Sequence, residues 1–308
     1  MQESGRRPKA YATALAIVVA AVSLASLLVW LKWRDNRTFS DTHALLARFP
    51  VEDATVVDAD FVAMRRAGLL PDRKLPLEPE YKQFVEGTGF DYRKDLDSVT
   101  ASFSKSGSFY IARGRFDWRK LREYATHQGG SCYQELCRMQ GSTPDRRISF
   151  LPLRDDTMAL AVGTNDLAAT LLTKQGDPVQ AQLPSAPVWV SVPGSALHDA
   201  SAFPPGLRLM LSKLTNADRL VITFGLSGNG LAAKMEATCR TKDDARVLAS
   251  QLRTVTAELK QALASESAAQ SDDLVKVLVG GTFNDDGARV NGSWPFSRNL
   301  IASLTSGI

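Results

Sequence analysis

Histidine and cysteine are scarce in this sequence, with three of each in 308 residues. A site built from imidazole and thiolate has little to draw on. His43, His127 and His198 stand apart, and none forms an H-x-x-x-H pair. Cys132 and Cys137 have no second Cys or His pair to complete a tetrahedral zinc site. The sequence also lacks a G-x-S-x-G elbow for a serine nucleophile and a G-x-x-x-x-G-K-[ST] loop for nucleotide phosphates. No lipobox-type cysteine is present, and no cofactor is implied.

Net charge is missing where a nucleic-acid binder needs it. The chain carries 37 basic and 33 acidic residues. Arg6, Arg7, Lys9, Lys32, Arg34 and Arg37, against Glu3 and Asp35, place the whole +4 within residues 1–37. The remainder is balanced, without the electrostatic footprint of nucleic-acid binding. The apolar fraction of 44% is that of a globular protein rather than a disordered one.

What the sequence does have is one long uncharged apolar run, residues 11–31. That length crosses ~30 Å of hydrocarbon as a helix. Tyr11, Trp30 and Trp33 flank it, where amphipathic rings favour the membrane interface. A cleavable signal peptide is the alternative, but its apolar region runs only ~7–15 residues, and here apolar sequence continues past Ser23-Leu24-Ala25. The reading is a cytoplasmic leader at 1–10, an uncleaved signal anchor at 11–33 and a stalk at 34–50. Basic residues on the two sides of the run nearly tie. The basic leader and the paired cysteines favour an inner-membrane protein with its domain outside the cytoplasm.

The rest reads as α+β, two tandem units with antiparallel sheets covered by helices, at 51–175 and 188–308. Each shows the order strand, helix, hairpin, helix, hairpin, helix, which suggests internal duplication. In the first, strands are expected at 55–59, 97–104, 109–114, 148–153 and 157–162, with helices at 60–68, 80–85, 117–125 and 165–174. In the second, strands are expected at 188–192, 219–226, 231–237, 274–283 and 288–292, with helices at 206–214, from Thr241 or Asp243 to 264, and at 295–304. The apolar runs 221–226 and 275–279 read as central strands. The two sheets either join or stand apart near 176–187.

Cys132 and Cys137 lie in a glycine-flanked loop, Gly129-Gly130-Ser131-Cys132-Tyr133-Gln134-Glu135-Leu136-Cys137. A structural disulfide is the leading reading, with free thiols and a metal pair as alternatives. Cys239 reads as a buried free thiol. Asp91, Asp95 and Asp97 form an acidic cluster, but the spacing, with Arg93 and Lys94 between, does not suit calcium. A turn with Phe90 and Leu96 packed beneath is expected there. His127 would cap a helix C-terminus. Glycines 225, 228 and 230 read as a hairpin tip. Trp118, Trp189 and Trp294 read as core packing, with an aromatic ligand platform as the alternative.

The run from Glu78-Pro79-Glu80-Tyr81 to Thr88-Gly89-Phe90-Asp91-Tyr92-Arg93-Lys94-Asp95-Leu96-Asp97, followed by Gly114-Arg115-Phe116-Asp117, resembles a pattern in bacterial, acidobacteria-like, single-pass membrane-anchored proteins with no assigned activity. The resemblance implies a bacterial envelope setting and transfers no catalytic residues. The functional expectation is a binding or scaffold module that meets the membrane through its N-terminal helix and an envelope protein through its domain. A tethered hydrolase with a dispersed site, using Asp91, Asp95, Asp97 and His127, is the first alternative. A carrier of a small ligand or lipid is the second.

Overall fold

The computed structural model describes residues 41–50, 53–70, 79–141, 143–177, 182–197, 213–228, 230–265 and 277–296. The expected anchor, with Tyr11, Trp30 and Trp33, lies outside them, as do His198 and most of the segments 206–214 and 295–304. Among the described residues no helix is long and apolar enough to cross a membrane.

Local sequence sets where the helices begin. Asp41, Asp60, Asp91 and Asp117 each precede a helix and accept a hydrogen bond from a backbone N–H two or three residues on. The helices are α1 (Thr42–Leu46), α2 (Phe61–Arg66), α4 (Tyr92–Asp95) and α5 (Trp118–His127). An aspartate there satisfies an amide that the helix leaves unpaired. The others are α3 (Pro79–Thr88), α6 (Gly194–Leu197) and the 24-residue α7 (Lys242–Ser265). At α7, Thr241 Oγ1 accepts from the Asp244 amide at 3.1 Å.

The strands are β1 (Thr55–Asp60), β2 (Leu96–Ser104), β3 (Gly107–Gly114), β4 (Ser131–Tyr133), β5 (Leu136–Gln140), β6 (Arg147–Arg154) and β7 (Thr157–Gly163) in the first half. In the second they are β8 (Val188–Pro193), β9 (Ala217–Ser227), β10 (Gly230–Cys239), β11 (Thr282–Asp286) and β12 (Arg289–Phe296). They form one twelve-stranded sheet, ordered β11-β12-β10-β9-β8-β1-β2-β3-β7-β6-β5-β4. Every neighbouring pair is antiparallel. The two expected sheets are thus continuous, because β1 pairs with β8, with Asp58 opposite Trp189. Read outward from that pair, the order is the same in both directions: β1-β2-β3-β7-β6 and β8-β9-β10-β12-β11. The β4–β5 hairpin extends the first half only.

Directly opposed residues share a face, so one row can be followed across the sheet. It runs from Cys137 through Phe150, Leu160, Tyr110, Ala101 and Val57 to Val190, Ile222 and Met235. On this face Leu248, Leu252 and Val255 of α7 pack on Leu220, Met235 and Val290. Leu121 and Ala125 of α5 pack on Cys137 and Phe150. The opposite face is apolar in the first half, where Leu45 and Leu46 of α1 and a 3-10 helix, Ala168–Thr173, cover Phe109, Ile111 and Ala159. The same face in the second half presents Thr223, Lys234 and Ser293. Among the described residues, each half therefore keeps one helix-covered face, and the first covers both.

Several expectations are corrected. Residues 41–50, assigned to the stalk, belong to the fold, since Leu45, Leu46 and Phe49 are buried in its core. The cysteine loop is a hairpin. Of the run 275–279, the described residues 277–279 are not strand: Val277 and Leu278 are helical, the Gly280 amide bonds Val277 O at 2.9 Å, and Leu278 packs into the α7 cluster. Strand β11 begins only at Thr282 and lies at the sheet edge. In place of the α-helix expected at 165–174, Ala168–Thr173 form a 3-10 helix. Pro295 lies in β12, not in a helix. Its neighbour β11 ends its pairing at Ser293, so no ladder bond is lost on that side.

Candidate functional site

A cleft of about 770 Å³ opens where the ends of the first half's elements meet. Helix α3 stops at its rim. Thr88 Oγ1 donates to Phe84 O at 2.6 Å, and Gly89 takes φ +73°, the left-handed turn that ends the helix. The chain then presents Phe90, whose ring stacks on Phe116 at 5.4 Å and 11°. Phe116 meets Trp118 at 5.5 Å. Trp118 Nε1 donates to Asp155 O at 2.8 Å, which fixes the indole against the β6–β7 turn.

The floor is held by backbone. The Gly114 amide bonds Asp156 O at 2.9 Å, and the Arg115 amide bonds Asp95 O at 2.7 Å. A Cβ on Gly114 would lie 2.2 Å from Asp95 O, so only glycine fits. Arg115 Nη2 reaches Asp95 Oδ1 at 2.9 Å and Lys94 O at 2.8 Å. Asp117, Asp155, Asp156 and Lys120 line the remaining rim.

A second cleft of about 480 Å³ occupies the matching position in the second half. Arg240 Nε lies 3.2 Å from Asp218 Oδ1, and the Cys239 amide bonds Ala288 O at 2.8 Å. These repeat Arg115 with Asp95 and Gly114 with Asp156. In both, an arginine just after a hairpin clamps an aspartate at its start, beside a helix N-terminus. The second cleft adds Asp53, which accepts from Ser195 Oγ at 3.2 Å.

The sequence-derived acidic cluster does not act as one site. Asp91 takes Arg93 in a two-pronged pair, both contacts at 3.1 Å, and these hydrogen bonds hold its carboxyl below the usual range. Asp95 is held by Arg115. Asp97 is held by Arg65 at 3.2 Å, and that arginine also donates to Leu96 O and Arg93 O. Of the three, Asp95 alone lines the cleft. His127 is exposed at the end of α5, with Nδ1 2.8 Å from Glu123 O, and lies outside the cleft lining. Phe90 and Leu96 are half-buried and buried, and α4 fills the expected turn. Among the described residues no group of three His, Cys, Asp or Glu could hold a metal ion.

Cys132 and Cys137 are joined as a disulfide across the β4–β5 pair. Cys239 is buried and free at the end of β10, and burial pushes its thiol up. Trp189 and Trp294 are buried, while Trp118 is the one tryptophan of these three at a cleft. Sequence reading missed the aromatic wall and the Arg115 clamp. The recurrence of arginine after β3 and β10 was the available signal.

No protein-family model matches the sequence, and a comparison with curated proteins finds no relative. Among solved structures, crystal form I of TP0453 is similar at 10% identity, covering 85% of this chain and 97% of that one, with a TM-score of 0.47. Crystal form III of TP0453 gives 9% identity, 85% and 98% coverage, and a TM-score of 0.48.

Proposed function

We propose that the chain is a membrane-anchored binding module of a bacterial envelope, tethered in the inner membrane by residues 11–33, with its sheet domain outside the cytoplasm. The observation that carries the binding role is the first cleft. It is open, walled by fixed aromatic rings and rimmed by polar groups, and it holds no paired nucleophile and base. Asp91, Asp95 and Asp97 are each occupied by an arginine, which removes the support on which a hydrolase reading stood. The disulfide favours an oxidising compartment, since such bonds persist there. The matching strand order and the repeated arginine clamp support an internal duplication whose two copies share one sheet.

Topology is tested with protease added to intact spheroplasts of cells making the full chain. Digestion of the sheet domain before lysis is the expected result. Protection until lysis would place the domain inside and overturn the envelope reading.

A further inference from the structure

The two halves can be compared position by position, and what they share is scaffold. Both keep the arginine–aspartate clamp and the amide bond to the second hairpin's turn. Both bury small or apolar side chains one turn into the covering helix, Leu121 and Ala125 in α5 against Ala245 and Ala249 in α7. What they do not share needs another reason. Helix α5 opens Asp117-Trp118, and helix α7 opens Thr241-Lys242. Trp118 therefore stands where the second half has a lysine. Phe116 lies between Arg115 and Asp117, and no residue separates Arg240 from Thr241. Among the described residues, the lining of the second cleft holds no aromatic ring, and the wall stands in the first half.

That wall is preorganised. Trp118 is fixed by its bond to Asp155 O, and Phe116 is held between Trp118 and Phe90. One side of Phe116 and Trp118 packs on the Leu121 cluster, and both remain only half-buried at the cleft. Rings already ordered cost little entropy when a ligand covers them. Around them the rim alternates acceptors, Asp117, Asp155 and Asp156, with the donor Lys120.

The charges narrow the ligand. The lining holds four aspartates against Arg115 and Lys120, and Asp95 already neutralises Arg115. This excess of negative charge repels phosphate, sulfate or nucleotide. A basic peptide is drawn in by the same excess and is opposed only at Lys120, so it is the competing occupant that the titration separates. A neutral polyhydroxylated ligand is repelled by neither sign of charge. Its hydroxyls donate to the carboxylates in charge-assisted bonds, and its C–H faces lie on the rings. The cleft is open to solvent, so a chain longer than the cleft can extend beyond it.

We infer that the cleft of Phe90, Phe116, Trp118, Asp155 and Asp156 binds a neutral saccharide chain. The inference rests on the binding-module reading and names its ligand class. The test titrates purified full-length protein in detergent with a β-1,4-linked N-acetylglucosamine hexamer, maltohexaose and a hexa-arginine peptide, following tryptophan fluorescence and calorimetry. Binding of at least one oligosaccharide is expected, weakened at least tenfold by Trp118→Ala. Because that variant also loses packing, Asp155→Asn/Asp156→Asn serves as a second probe. It keeps the backbone bond to Trp118 and is expected to weaken binding severalfold at unchanged Tm. Binding by neither oligosaccharide overturns the inference, and so does saccharide binding that both variants leave intact. Binding of hexa-arginine alone overturns it in favour of a basic-peptide site and leaves the binding module standing. Spheroplast proteolysis decides the envelope reading separately.

Discussion

Thr100 donates its hydroxyl to Oδ1 of Asp58 across 2.6 Å, between two central strands of the sheet. Trp189 of β8 stands directly opposite Asp58 in the β1–β8 pair, so Asp58 sits where the two halves meet. Burial pushes this carboxyl above the usual range. The Thr100 hydrogen bond opposes the rise, and nearby Asp60 adds to it.

A pH dependence follows from that position. A raised carboxyl pKa favours the folded state below the ordinary carboxylate range, and this contribution is lost as pH rises through the folded value. Asp58→Asn removes the titration. The stability of wild type relative to Asp58→Asn is expected to fall between pH 4 and pH 7, measured by urea unfolding of the full chain in detergent. A gap that stays constant would show that Asp58 is not the titrating group.

The covering helix gives a contrast between two positions five residues apart, which lie on different faces of α7. Leu252 is 1% exposed against Met235 and Val290, and Val247 is 54% exposed. Leu252→Ala is expected to cost about 2–5 kcal/mol. Val247→Ala should stay within about 0.5 kcal/mol. Equal losses on thermal unfolding would mean that α7 packs with another face.

Gly114 tests the clamp. A methyl group there meets backbone, and backbone cannot rotate away as a side chain can. Gly114→Ala is expected to cost more than about 1 kcal/mol, above the usual surface range. Gly163→Ala, where the nearest atom would be 3.3 Å away, should cost less. The reverse order in melting temperature would contradict the Gly114–Asp95 approach.

The disulfide closes a short loop, with a sequence separation of 5. Chain entropy for such a loop gives about 2 kcal/mol. Cys137 is fully buried beside Leu121 and Phe150, so Cys132→Ala/Cys137→Ala loses packing as well. The double variant is expected to melt several degrees below wild type, and added reductant should lower Tm in wild type only. A wild-type Tm insensitive to reductant, with complete reduction shown by thiol titration, would remove the bond from the list of stabilising features.

Periodicity and punctuation made most elements legible. Alternating apolar residues marked β2, β3, β7 and β10, and aspartate before a helical stretch marked α5. The same local logic misread residues 277–279, where a run of valine and leucine looks alike whether it packs as a strand or as the end of a helix. It also read 131–137 as a loop, because strands as short as the three-residue β4 and five-residue β5 carry too little pattern to register.

By itself, the sequence determined the uncharged run at 11–31, the neutral charge of residues 38–308, the order of most described elements in the first half and the residue types at the helix starts. These are properties of neighbours along the chain. Tertiary structure alone decided that β1 lies against β8, so that two expected sheets became one. It also decided that Asp91, Asp95 and Asp97 each face a different arginine. The aromatic wall arose in the same way, from Phe90, Phe116 and Trp118 meeting through separate elements. The physical reason is that register and the pairs Asp95–Arg115 and Asp97–Arg65 are settled between residues 20 and more positions apart, and no local pattern records which partner wins.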